Sequence, residues 1–372
     1  MYRKFFKGAL MALSLSFALF FVNTASAANI ILSPPKFEFE ANPGDTIKEI
    51  IRIRNSGTED IELTSTAQDF IAGSETGQPE FVSDSSSAFS IASWIEVNGG
   101  KKTVIKAGEK VEIFFTITVP TDAEPGGHYG VVFFSPPANT DDAQVATIER
   151  IGSLVLVRVS GEIKEEGSLS DFETYSKESD KLVDVENLNK KSFFENLPVD
   201  FAVRFHNTGN VHLKPKGKIE IKNFGKPVED IGVKVELKNG VPVSREIVDY
   251  IPVNGSEGNI LADSFRRFDT KFQGQAFWYK NEDGSKEVRW KRFSFGHYEA
   301  TLTLDYGTKK ETIVKEIGFW IVPWKEIVLG IIIFIALIFG LIQYNKWNKK
   351  RLEKKFRKMF EEEDNKKIDK KQ

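Results

Sequence analysis

A run of sixteen uncharged residues, Ile327 to Ile342, does most to set the plan of this 372-residue chain. With its flanks, Val322 to Tyr344, it offers 23 residues. At about 1.5 Å each, these cross a hydrocarbon layer of about 30 Å. The run is too long and too apolar for the core helix of a small domain. Trp320, Trp324, Tyr344 and Trp347 stand where interfacial aromatics belong, and Lys346, Lys349, Lys350, Arg351, Lys354 and Lys355 follow. Positive flanks stay in the cytoplasm. The expectation is a single-pass protein of the cell membrane, with a transmembrane helix over 322–344, an extracellular N-terminal region and a basic cytoplasmic tail over 345–372. The tail reads basic, then acidic at Glu361–Asp364, then basic again. Its simplest reading is a frayed helix held to anionic headgroups, each basic side chain contributing about 1 kcal/mol.

The other end carries a second membrane signal. Arg3, Lys4 and Lys7 precede an apolar run from Ala9 to Val22, and Ala25-Ser-Ala27 supplies a small-residue cleavage site. Residues 1–27 therefore read as a signal peptide. The formal net charge of −2 hides an asymmetry. Both ends are basic, which leaves an acidic middle, the wrong sign for a nucleic-acid partner. There is no cysteine. That removes disulfides, thiol nucleophiles and cysteine metal sites, so an exported region of this kind is held by its cores alone. Thirty-one Phe supply material for more than one core.

Between Asn29 and Phe319 the dominant period is two. Lys36-Phe-Glu-Phe-Glu40 alternates before the turn Asn42-Pro-Gly-Asp45. Lys48 to Arg54, Glu59 to Leu63, Val111 to Val119, Tyr129 to Phe134 and Ser153 to Val159 read as further strands. Lys101 to Lys110 reads as strand and turn. Short strands at close intervals predict β-sandwiches. A weak repeat predicts two of them: Arg52-Ile-Arg-Asn-Ser-Gly57 resembles Arg204-Phe-His-Asn-Thr-Gly209, and Gly127-His-Tyr129 resembles Gly296-His-Tyr298. The fold class is thus all-β: two tandem immunoglobulin-like β-sandwich domains, 28–162 and 163–319, plus one C-terminal transmembrane helix. Ser83–Ser87, Ala138–Ala143 and Tyr175–Lys181 read as polar loops.

Nothing in the chain spells catalysis. The four histidines are His128, His206, His212 and His297. His206 and His212 flank the second Asn-Thr-Gly turn, but no carboxylate pattern completes a metal set. Nucleophile elbows, zinc-protease helices and phosphate loops are absent from the sequence. No cofactor and no metal are expected. Two surfaces are candidates instead. Pro125-Gly-Gly-His-Tyr-Gly130 either shapes a sheet corner, where glycine permits positive φ, or contacts a ligand through Gly126, Gly127, His128 and Tyr129. Ala276 to Phe293 reads as a hairpin with Asp283-Gly284 at its tip. Alternation puts Phe277 and Tyr279 on one face and Trp278 on the other, so one face must fill a core. Trp278, Arg289, Trp290 and Arg292 would then form a partner-binding patch, or pack against a neighbouring part of the same chain.

The signal peptide, the Pro43-Gly44 turn, Arg54-Asn-Ser-Gly57, Ala107-Gly-Glu-Lys-Val111, Val119-Pro120 and Pro125-Gly-Gly-His-Tyr-Gly-Val-Val132 together resemble the WxL-interacting protein family of bacterial cell surfaces. The second β region and the basic-tailed span complete the likeness. The resemblance implies two immunoglobulin-like domains above a membrane anchor. It further implies peptidoglycan binding by the first, and a surface-protein or host partner for the second. The expected function is therefore a non-catalytic, membrane-anchored surface scaffold or adhesion protein binding cell wall and cell-surface proteins. The alternative is a chaperone-like assembly factor that accepts a partner's strand at a sheet edge.

Overall fold

The computed structural model describes residues 30–82, 88–97, 102–136, 150–176, 190–238, 241–291 and 293–369. The signal peptide and the loops Ser83–Ser87 and Ala138–Ala143 lie outside them, as does most of the polar stretch after Tyr175. What is described is β-sheet followed by one helix.

The first half contributes β1 (Ile30–Ser33), β2 (Lys36–Ala41), β3 (Thr46–Asn55), β4 (Ile61–Ala72) and β5 (Pro79–Val82). A 3-10 turn at Ala92–Trp94 leads into β6 (Ile95–Val97), β7 (Lys102–Ile105), β8 (Lys110–Thr118), β9 (Gly126–Ser135) and β10 (Ile151–Val159). One sheet runs β1-β3-β8-β6 and the other β2-β10-β9-β4-β5, with β7 also on β4. The period of two explains the packing. Ile113, Phe115 and Ile117 alternate inward along β8 against Ile51 and Ile53 of β3, while Val132, Phe134, Val155 and Val157 face them from the second sheet. Each fully buried Ile, Val or Phe contributes about 1.5–3 kcal/mol, which replaces the missing disulfides. Strand β9 is buried at every position from Gly126 to Phe134. It reads as a continuous apolar run because one face fills this core while the other meets the second half at Gly127 and Tyr129 and is covered by Phe81 and Arg150 at Phe133.

The second half begins with β11 (Gly167–Tyr175), β12 (Phe193–Phe194), β13 (Val199–Asn207), β14 (Lys216–Asn223) and β15 (Lys226–Pro227). It continues with β16 (Gly232–Lys238), β17 (Val241–Val248), β18 (Ile251–Val253), β19 (Ser264–Phe272), β20 (Gln275–Lys280), β21 (Lys286–Lys291), β22 (Gly296–Tyr306) and β23 (Glu311–Ile321). Its sheets run β11-β13-β19 and β12-β23-β22-β14-β15, with β18 on β14, and two separate hairpins pair β16 with β17 and β20 with β21. A separate cluster fills the space between these sheets, from Val199, Phe201, Val203 and Phe205 to Ile219, Ala300, Leu302 and Phe319.

The two larger sheets share one strand order, and the sequence repeat falls on matching places. Asn55 and Asn207 end β3 and β13, while the Gly-His-Tyr elements open β9 and β22. The backbone conformations match one residue out of step with that repeat: the positive-φ glycines are Gly126 (φ +140) and Gly296 (φ +121), a region that glycine occupies without strain, so Tyr129 faces the junction of the two halves whereas Tyr298 faces the core of the second.

Helix α1 (Trp324–Asp369) is 46 residues long, with only Val322 and Pro323 between it and β23. It is long and apolar enough to cross a membrane. It runs unbroken to Asp369, through the described part of the tail.

Candidate functional site

The Asn-Ser/Thr-Gly repeat is a structural device. Asn55 donates from Nδ2 to the carbonyls of Glu59 (2.7 Å) and Ile105 (3.1 Å), and its Oδ1 accepts from Gly57 N–H at 2.9 Å. Asn207, fully buried, donates to the carbonyls of Val211, Ile260 and Leu261 and accepts from Gly209 N–H. Each asparagine closes the turn after its own strand and ties it to a neighbouring loop.

The 126–129 segment is buried where the two halves meet. Gly127 N–H donates to the Asn210 carbonyl at 2.8 Å, and a Cβ on Gly126 would stand 2.8 Å from that same oxygen. The His128 ring is 3% exposed, lies 3.1 and 2.9 Å from the carbonyls of Ser90 and Glu124, and packs on Trp94. Tyr129 is 1% exposed, and its hydroxyl accepts from Ala262 N–H at 3.2 Å. Burial pushes its phenol well above the ordinary range. Phe70, Tyr129, Leu156 and Ala262 form a small third core shared by both halves. The four residues singled out as ligand contacts are therefore occupied by the chain itself.

Polar bonds surround that core. Both carboxylate oxygens of Glu75 lie within 2.9 Å of Arg204 Nε, and Arg204 also covers the Phe265 ring at 4.2 Å. Glu38 accepts from Asn259 at 2.8 Å and from Lys36 and Lys214. Burial pushes its carboxyl up, but the hydrogen bonds from Lys214, Lys36 and Asn259 outweigh it and hold the pKa at about 2. Asn210 binds the carbonyls of Pro125 and Glu162 and the N–H of Lys164, pinning the connecting segment.

His206 and His212 are engaged separately. The His206 ring stacks on Phe265 at 3.9 Å, and His212 stands edge-on to Tyr129 at 5.9 Å. Among the described residues no group of three His, Asp or Glu could hold a metal ion.

The β20–β21 hairpin forms as its Asp283-Gly284 tip predicts, in register from Gln275↔Lys291 to Lys280↔Lys286. Its expected buried face is a correction. Of the β20 residues only Ala276 is buried, while Phe277, Trp278 and Tyr279 are all exposed. The two strands pair only with each other, and just one face is partly covered, at buried Ala276 and half-buried Val288 and Trp290. Arg289 lies over the Tyr279 ring at 3.4 Å, on the face opposite Trp278 and half-buried Trp290. Arg292 lies outside the described residues.

One feature escaped the sequence reading: the open side of the second half. In the first half β1 leaves β3 after four residues, and the chain crosses over as β2 to pair in parallel with β10 from Leu154↔Lys36 to Val159↔Ala41. In the second half β11 stays on β13 over its whole length, and β12 reaches β23 only at Phe193↔Trp320 and Phe194↔Ile321. Trp320 and Val322 donate outward to the Ser192 and Phe194 carbonyls. Since β23 pairs with β22 without a register break, alternation turns the N–H groups of Thr312, Val314, Glu316 and Gly318 outward as well. Among the described residues no strand lies against them. A groove of about 400 Å³ follows this edge, between Leu169, Asp171 and Glu173 of β11 and Ile313, Val314 and Lys315 of β23.

No protein-family model matches the chain, and no curated protein matches it. Solved structures do match. One is a chaperone–tip adhesin complex of CFA/I fimbriae, at 12% identity and TM-score 0.35, covering 78% of this chain and 98% of that one. Another is the class 5 fimbriae chaperone CfaA, at 12% identity and TM-score 0.33, covering 77% and 98%. A third is the YadV chaperone, at 10% identity and TM-score 0.30, covering 78% and 100%. At such scores the likeness is no ground for a function, and the architecture rests on the strand pairing itself.

Proposed function

We propose that this chain is a membrane-anchored, non-catalytic binding protein that takes up an extended segment of an exported partner protein at the open side of its second sandwich. The two halves are read as tandem immunoglobulin-like domains held outside the membrane by α1, with the tail inside. The observation that carries the reading is the row of outward N–H groups at Thr312, Val314, Glu316 and Gly318, with the groove beside it. Its counterpart on β10 is filled by β2. There Phe37 and Phe39 pack against the core and Glu38 and Glu40 point away from it. An incoming strand with the same alternation would pair with β23 and lay its apolar side chains against Leu169, Ile313 and Ile317, which lie half-buried at the rim of the second core. The anchored two-sandwich layout of WxL-interacting proteins fits such a role. Wall binding through 126–129 forms no part of the proposal, because those residues are buried.

The test uses full-length protein in nanodiscs, titrated with a synthetic peptide carrying Lys36-Phe-Glu-Phe-Glu-Ala41 and with a scrambled peptide of equal composition. Alternating peptide binds and scrambled peptide does not. V314P, which removes one outward N–H, weakens binding by about tenfold, equivalent to roughly 1.4 kcal/mol. Equal binding of both peptides, or an affinity untouched by V314P, contradicts the reading.

A further inference from the structure

Exposed aromatic side chains are unevenly spread. Between Ile30 and Ile321, among the described residues, the first half exposes Phe114 alone, whereas the second exposes Phe193, Phe224, Phe277, Trp278, Tyr279, Phe293, Phe295 and Trp320. The pairing register gathers five of these at one end. Phe193 pairs with Trp320, and His297 pairs with Trp320 from the other side. Phe224 N–H donates to the His297 carbonyl at 3.1 Å, and Asn223 Nδ2 to the Phe295 carbonyl at 3.1 Å. Phe293, 83% exposed, lies two residues from Phe295.

This is the end from which α1 departs. Val322 N–H donates to the Phe194 carbonyl, Trp324 N–H to the Val322 carbonyl, and Lys325 pairs with Glu195 at 2.9 Å, so the helix leaves the sandwich with no free linker. The uncharged run starts at Ile327, three residues or about 4.5 Å beyond Trp324. The polar layer on each side of a bilayer's hydrocarbon core is only about 5–7 Å thick. Trp320 is four residues before Trp324, so even an extended chain keeps it within about 14 Å of that layer, and the sheet end it shares with Phe193 and Phe224 is the end turned towards the lipid. Trp is favoured in this layer, and exposed Phe rings gain by burial at the boundary between headgroups and acyl chains.

We infer that the helix-proximal end of the second sandwich is a lipid-binding platform, with Phe193, Phe224, Phe293, Phe295 and Trp320 seated among the lipid headgroups. The inference rests on α1 spanning the bilayer. The β20–β21 hairpin extends the platform at its root: Gly274, just before it, packs beside Leu197, two residues from Glu195. The platform fixes the second sandwich against the membrane and holds the open β23 edge at a set height above it.

The chain has no cysteine, so single cysteines report cleanly. Full-length F293C, F224C, F114C and A336C, each labelled with an environment-sensitive fluorophore, go into phosphatidylcholine/phosphatidylglycerol nanodiscs. Quenching by shallow and deep nitroxide lipids is compared with quenching by aqueous iodide. Labels at 293 and 224 should be quenched several-fold more by shallow nitroxide lipid than the label at 114, and be shielded from iodide. If they behave as the label at 114 does while the label at 336 is quenched by deep nitroxide lipid, the platform is overturned and the span stands. If 336 is not reached by deep nitroxide lipid, the span fails and the platform with it.

Discussion

At the residue scale, the small polar residues at the turns matter more than the four histidines. Asn207 satisfies three carbonyls and one N–H inside the protein. Asn207→Ala takes the side-chain donor from the Val211 carbonyl, while the Ile260 and Leu261 carbonyls keep the Leu213 N–H and the Ser264 hydroxyl and the Gly209 N–H keeps the Glu166 carbonyl, so it should destabilise the chain by about 1–2 kcal/mol. The check is a urea midpoint, and a loss below about 0.5 kcal/mol would deny the turn this role. The repeated Asn-Ser/Thr-Gly was legible in the sequence as a repeat. Its carbonyl partners, up to 54 residues away, were not. His212 gives a pH signature. Burial, the dominant cause, lowers its pKa from 6.5 to about 4. The unfolded chain therefore binds more protons between those values, and stability falls as pH drops from 6.5 to 4, by about 3 kcal/mol in the limit. Glu38, held at about 2 against an ordinary 4.5, adds a second loss from 4.5 down to 2. Denaturant melts across pH should show both windows, and His212→Gln should flatten only the upper one.

Among the elements, alternation exposed β2, β3, β8 and β10, and the Asp283-Gly284 tip exposed the β20–β21 hairpin. The same rule failed on which face of that hairpin is buried. Aromatics on both faces satisfy a period of two whether the ribbon packs on a core or stands free. The open edge was equally invisible, because it depends on where one strand leaves its partner for another, and both halves alternate alike. Proline substitution separates edge from centre. Val314→Pro removes an outward N–H and should cost under about 1 kcal/mol, whereas Val155→Pro, in a strand paired on both sides, should cost about 3 kcal/mol or more. Thermal unfolding of the two variants decides it, and equal losses would mean that Val314 already pairs with a neighbour.

On the scale of the whole molecule, the two halves meet through an apolar centre at Tyr129, ringed by Glu75–Arg204, Glu38–Lys214 and Asn210. The similar strand order of the two larger sheets was hinted at by the order of two short motifs. The junction was not, since Pro125–Gly130 looked the same whether it shaped a corner or met a ligand. Its glycines permit the close approach of Asn210, and only the packed partner shows which. The result is one connected body above α1, with an edge in the helix-proximal half that no strand fills among the described residues. The most direct measurement is amide hydrogen exchange of the free, full-length protein at single-residue resolution. The account predicts rapid exchange at Val314, Glu316 and Gly318. Their neighbours Ile313, Lys315 and Ile317 should be protected by β22, and Leu156 and Arg158 of β10 by β2. Protection of Val314, Glu316 and Gly318 equal to that of Leu156 and Arg158 would mean that the edge is already filled, and would contradict it.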